Sequence, residues 1–147
     1  MIEFSVETEI ARSPADVFAY VTDPSKLATW QRNTVSVSQE GDGPIGVGTR
    51  LHEVHRAGGR ELESVVEVSE YEPDRLFALK MIEGPLPLDA RIEFEPAGGG
   101  THFTFTGSGE PSGMMRLAGP LLVRTLKRQF AEHCEHLKEV LEADSPA

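Results

Sequence analysis

Apolar and polar side chains alternate along the first ten residues. Ile2, Phe4, Val6, Thr8 and Ile10 fall on one side, and Glu3, Ser5, Glu7 and Glu9 on the other. A period of two with one apolar side predicts a half-buried strand of an antiparallel sheet. The pattern then changes. Ser13 offers an N-cap oxygen, Pro14 suits the first helical position, and Asp16 stands where a capping box puts its acid. A short helix follows, with Val17, Phe18, Tyr20 and Val21 as its buried side. Asp23-Pro24 repeats the start signal. The residue before a proline resists helical backbone, so the first helix ends near Thr22 and a second runs from Pro24 to about Trp30. These are two short helices joined at an angle, with Leu27 and Trp30 turned into the body.

Strand patterns resume with Val35 and Val37 alternating against Thr34, Ser36 and Ser38. After the Gly-rich connector GDGPIGVG, TRLHEVHR reads as a strand and AGG at 57–59 as a hairpin turn. ELESVVEVSEY follows, with Leu62, Ser64, Val66 and Val68 on one side, and EPDR is another turn. LFALKMIE and LPLDARIEFE come next, the latter with Leu86, Leu88, Ala90, Ile92 and Phe94 inward. PAGGG turns the chain into THFTFTG, whose inward pair is Phe103 and Phe105. The spacing is that of an antiparallel meander of about seven strands. From roughly Ser112 to Ala143 the period becomes 3.6, with Leu122, Leu126, Phe130, Cys134, Leu137 and Leu141 on one stripe. That predicts a helix of ~45 Å, kinked or broken at Gly119-Pro120. Residues 1–143 read as one domain and 144–147 as a frayed end.

Composition narrows the partners. The net charge is −10 and the pI about 4.9, which argues against nucleic acid, because that affinity comes from Lys and Arg neutralising phosphates. Arg124, Lys127 and Arg128 lie on the outward side of the long helix, where solvated charges belong. The same repulsion disfavours an anionic membrane surface, and no apolar run approaches the ~20 residues of a span, so no stable membrane association is expected. Cys134 is the only cysteine, so no intrachain disulfide can form. Acids occupy the N-terminus where a signal peptide needs a basic start. Together these predict a cytoplasmic protein.

A sheet with one apolar face and one long amphipathic helix implies that the helix lies across that face. A long antiparallel sheet curls, and a straight helix cannot fill its concave side everywhere. The two short helices then plug one end of the groove, leaving a cavity.

This order, and the segments ARSPADVFAYVTDPSKLATW, GVGTRLHEV, GGRELESVVEVSEYEPDRLFALK, GGGTHFTFT and LKRQFAEHCEHLKEVLE, resemble the START-like helix-grip superfamily, SRPBCC. Within it the chain looks like the polyketide cyclase/dehydrase-type branch. The resemblance covers nearly the whole chain and implies an α+β helix-grip fold, a curved antiparallel sheet wrapped around the C-terminal helix. It also implies a hydrophobic pocket for a polyketide- or lipid-like ligand. Family members include cyclases, lipid and hormone binders and chaperone activators, so fold alone does not choose among them. The cavity arginines and tyrosines ascribed to the cyclases have no matching positions in this chain.

With these strand phases, Trp30, Leu51, Val66, Phe77, Leu79, Leu88, Phe103, Phe105, Met115, Leu122, Leu126 and Phe130 would contact the ligand. In TRLHEVHR two phases stay open. One turns Leu51, Glu53 and His55 inward, the other His52 and Val54. Inward Glu53 and His55 would form a general acid/base pair for enolisation or dehydration, whereas the commoner situation for such residues is an exposed polar face. Tyr71 could offer its phenol to a ligand carbonyl, and His133 falls inside the helix's apolar stripe. These four are the candidate catalytic residues.

His133 and His136 of HCEH diverge by about 60° on a helix and Cys134 turns away from both, so no metal site is expected, nor any cofactor. Around Gly119-Pro120 the apolar residues Met114, Met115, Leu117, Leu121 and Leu122 surround the axis. That suits a pocket mouth or a homodimer interface. Three functions follow: a cyclase/dehydrase-like enzyme, a non-catalytic lipid or isoprenoid carrier or chaperone, or a protein-interaction module.

Overall fold

The computed structural model describes residues 2–57, 59–84, 88–110 and 119–143. Its elements run β1 (Ile2–Ile10), α1 (Pro14–Val21), a 3-10 turn (Pro24–Lys26), α2 (Leu27–Trp30), β2 (Thr34–Gln39), β3 (Arg50–Ala57), β4 (Arg60–Glu72), β5 (Leu76–Glu83), β6 (Leu88–Ala97), β7 (Gly100–Gly109) and α3 (Gly119–Ala143). The strands form one antiparallel seven-stranded sheet in the order β1-β7-β6-β5-β4-β3-β2. Apart from β1, consecutive strands are neighbours, as a meander requires. The helix-grip fold is therefore the observed one.

Sheet order explains why the chain starts and abandons a helix twice. β1 and β2 are adjacent among the strands in sequence but stand at opposite edges of the sheet. The segment between them has to cross the open side of the groove, and short pieces that can change direction do this. Ser13 caps α1 by accepting from the Asp16 amide at 3.2 Å, with Pro14 behind it. Asp23 then accepts from the Ser25 amide at 3.0 Å and opens the 3-10 turn. The expected second helix is thus a 3-10 turn running into a single α turn, which buries Trp30. Proline at 24 leaves one amide fewer to pair, and so short a helix gains little from cooperativity.

Two bulges shift the β4–β5 register, at Val65/Val66 and at Val68/Glu70. Each adds local twist, so the sheet curls towards α3. A third, between Thr34 and Ser36, corrects the expected phase of β2. Val35 is the extra residue and is exposed, while Thr34 turns inward opposite His55. α3 spans 25 residues, roughly 37 Å at 1.5 Å per residue, and begins at Gly119-Pro120. The expected helix before that point, the kink it implied and the residues Leu86, Met114, Met115 and Leu117 lie outside the described residues, as does the frayed end at 144–147.

Polar ties fasten the C-terminal end of α3 to the β1–α1 corner. Glu142 Oε2 accepts from the Ala11 amide at 2.9 Å and from Lys138 Nζ at 2.8 Å, and Arg12 Nη1 donates to the Leu141 carbonyl at 2.9 Å. Phe4 lies over Gly107 on the neighbouring strand, where a Cβ would come within 2.5 Å of its ring. Glycine at 107 therefore lets Phe4 lie flat and reach Phe105 and Phe130, with ring centroids 6.3 and 5.6 Å away.

Candidate functional site

Between the sheet and the first half of α3 lies a cavity of about 260 Å³. Its walls come from every layer: Trp30 from α2, Val66 from β4, Phe77 and Leu79 from β5, Leu88 and Ala90 from β6, Phe105 from β7, and Leu126 and Phe130 from α3. Phe105 and Phe130 stack with centroids 4.5 Å apart and hold one side firmly.

The polar side is built by β3. Its inward phase is Leu51, Glu53 and His55, which resolves the open register and corrects the expectation of an exposed polar face. Glu53 is buried and half-buried His55 joins it at the cavity wall. Glu53 Oε1 lies 2.8 Å from His55 Nε2, and His55 Nδ1 lies 3.3 Å from the Thr34 hydroxyl. Beside a carboxylate oxygen Nε2 is the nitrogen suited to carry a hydrogen, which leaves Nδ1 to meet the Thr34 hydroxyl. The β2 bulge makes this possible, because it swings Thr34 to the inner face. Both imidazole nitrogens are engaged, and the ring is held in one orientation.

His133 reaches the cavity from α3. It is 5% exposed, and its ring meets Phe130 edge-on at 5.2 Å. Burial, and then the nearby imidazoles of His136 and His55, push its pKa down to about 4, so it is neutral at pH 7. Its Nδ1 has no hydrogen-bond partner, nor have Trp30 Nε1 and Asn33 Oδ1, whose side chains also line the cavity. Burial likewise pushes the Cys134 thiol up to about 12, too high for a nucleophile.

Several expected positions are not in the lining. Leu51 and Phe103 are on the inner face, but lie one inward position past Glu53 and Phe105, where the groove is filled. Leu122 packs against the core a turn before Leu126. Tyr71 is half-buried with its ring edge-on to Phe18 at 5.3 Å and to Phe77 at 6.1 Å, away from the cavity wall. Alternation reports which face a residue occupies and says nothing of what covers it. Met115 lies outside the described residues. Conversely, Gln31, Asn33, Met81 and Gln129 line the cavity without having been anticipated. Gln129 was findable: Leu126, Gln129, Phe130 and His133 stand at i, i+3, i+4 and i+7 on one helix face. Gln31 and Asn33 sit in a link between elements, where no period exists.

A curled antiparallel sheet gripping a long helix, with a cavity at one end of the groove, defines a helix-grip protein. More narrowly, the chain belongs to the family described as "Polyketide cyclase / dehydrase and lipid transport", whose sequence model matches residues 1–142. No curated protein matches the sequence. Among solved structures, the chain is similar to TTHA0849 from Thermus thermophilus, at 22% identity and a TM-score of 0.81, covering 97% of this chain and 99% of that one. It is similar to MLL2253 from Mesorhizobium loti at 20% identity and 0.72, covering 98% and 99%. It is also similar to the Aha1 dimer from Colwellia psychrerythraea at 18% identity and 0.69, covering 99% and 100%. At these identities the likeness is one of fold. Among the described residues, no helix is long and apolar enough to cross a membrane.

Proposed function

We propose that the protein binds a small, largely apolar molecule in this cavity, and that Glu53 and His55 move protons on it in cyclase/dehydrase-type chemistry. The observation that carries the reading is the hollow itself, with apolar walls and one carboxylate–imidazole pair facing it. Both ring nitrogens of His55 are taken, so the pair acts through the second carboxylate oxygen of Glu53, which takes a proton from a carbon beside a ketone and returns it to an oxygen while His55 fixes the carboxylate's orientation. A cytoplasmic setting belongs to the same reading. So does a homodimer through the start of α3, where Leu121 is 66% exposed.

The second reading is a non-catalytic carrier, favoured by the apolar character of most of the lining. Native mass spectrometry of freshly purified protein tests the shared part, since a retained small-molecule mass is expected and an empty protein counts against both readings. Replacing Glu53 and His55 together by glutamine then separates them. An enzyme keeps the ligand and loses turnover, whereas a carrier is unchanged. Leu79→Glu, which puts a charge on the cavity wall, abolishes binding in either case.

A further inference from the structure

The cavity carries a charge pattern that restricts its occupant further. Among the described residues that line it there is no lysine or arginine, and Glu53 is the one carboxylate. His55 cannot serve as a cation for a ligand. If it is protonated, one N–H is held by Glu53 at 2.8 Å and the other faces Thr34 at 3.3 Å, so its charge is already compensated and its donors are used. His133 is held neutral by its burial, with a pKa near 4. A ligand carboxylate or phosphate entering here would lose its water, find no counter-ion and stand beside an existing carboxylate. Like charges in a desolvated site are strongly disfavoured.

Neutral hydrogen-bonding capacity, by contrast, is in surplus. Trp30 Nε1, Asn33 Oδ1 and His133 Nδ1 are buried without partners, and the three residues that carry them border the same cavity. The indole offers a donor, the amide oxygen an acceptor, and the neutral imidazole nitrogen either. Buried polar atoms are nearly always satisfied in native proteins, so three orphans on residues that border one cavity point to a polar group that arrives with the ligand and meets them as these side chains turn toward it.

We propose that the cavity selects against anions: its occupant has an apolar body and an uncharged or cationic hydrogen-bonding head, seated among Trp30, Asn33, Glu53 and His133. This rests on the ligand-binding reading above and adds the chemical class of the head. Free fatty acids and acyl phosphates are excluded by it, whereas alcohols, phenols, ketones and amines are admitted.

The test compares three probes of equal chain length on the intact protein at pH 8: 1-octanol, octylamine and octanoate. Each is titrated against bound N-phenyl-1-naphthylamine, a neutral fluorescent dye. Octanol and octylamine should displace the dye, with octanoate weaker by about tenfold or more, since juxtaposed like charges cost several kcal/mol. Octanoate binding as tightly as octanol overturns the proposal. Glu53→Gln should narrow the gap by improving octanoate alone. A folded variant that leaves the gap unchanged overturns the role given to Glu53. If neither dye nor any probe binds, the ligand-binding reading itself falls and this inference with it, an outcome distinct from binding with the wrong charge preference.

Discussion

The groove under α3 has two ends built from the same strands, and they differ in kind. At one end Phe18, Phe94 and Phe103 mesh edge-to-face, Phe94 lying 5.2 Å from Phe18 and 5.6 Å from Phe103, with Val68, Leu137 and Leu141 closing the gaps. At the other, Leu79, Leu88, Ala90, Leu126 and Phe130 surround empty space. The boundary is sharp. On β7 it falls between Phe105 and Phe103, on β6 between Ile92 and Phe94, on β4 between Val66 and Val68, and on β3 between Glu53 and Leu51. On these four strands one inward position separates a residue of the cavity wall from a buried one outside it. What changes is the cover between sheet and α3: α1 packs onto β6 and β7 at the filled end, whereas at the hollow one it contributes Val21 beside the single turn of α2 and the polar residues after it. Burial of apolar faces is therefore used twice, for stability at one end and to wall a cavity at the other.

Truncation gives the largest expected effect and breaks the comparison if it fails. Phe103 is fully buried at the filled end, so Phe103→Ala should cost about 3–5 kcal/mol of unfolding free energy. Leu79→Ala at the hollow end should cost less than about 2 kcal/mol, because that side chain already lacks neighbours on one side. Urea denaturation of both variants measures the difference. Equal costs would mean that the two ends are packed alike.

The next effect depends on pH and belongs to the hollow end alone. His133 is depressed when folded, so folding is fully supported only above its unfolded value of 6.5, and support is withdrawn as pH falls towards about 4. Over that window the wild type should lose up to roughly 3 kcal/mol from this residue. His133→Phe, which keeps a ring against Phe130, should remove that part of the slope. Thermal midpoints between pH 7 and pH 4 for the two proteins provide the check, and parallel curves would show that His133 does not titrate in the core.

Much of this division could be anticipated only in part. The strands of β1, β4, β6 and β7 were legible because each exposes one face, and a period of two then assigns nearly every residue. The β3 phase was not, since Leu51, Glu53 and His55 mix apolar and polar residues as evenly as His52, Val54 and Arg56 do. Only the structure shows that a buried Glu53 paired with a half-buried His55 stands there. The β2 bulge was equally invisible, because no turn residue marks Val35. His133 announced itself by lying in an apolar stripe. Depth along the groove left no trace: Phe103 and Phe105 are two residues apart, share a face and a residue type, and differ only in which helix passes overhead.

Filling the hollow end separates its two uses of apolar surface with the smallest change in stability. Ala90 is half-buried on β6 between Leu88 and Ile92, paired across the sheet with Leu79 and Gly107, and its methyl faces the cavity. Leucine there would extend into space that is already present, gaining dispersion contacts without displacing a neighbour. The expected change in stability is within about 1 kcal/mol, tending to stabilisation, whereas inserting methylenes into a packed core costs typically about 1–3 kcal/mol. Val68→Leu at the filled end is the matched control and should show that cost. Ligand capture should behave in the opposite way: Ala90→Leu should weaken displacement of a neutral naphthylamine dye, while Val68→Leu, if folded, leaves it intact. A destabilised Ala90→Leu with undiminished dye binding would mean that the space beside Ala90 is not where a ligand sits. The emptiness of this end would then be a packing fault with no bearing on function.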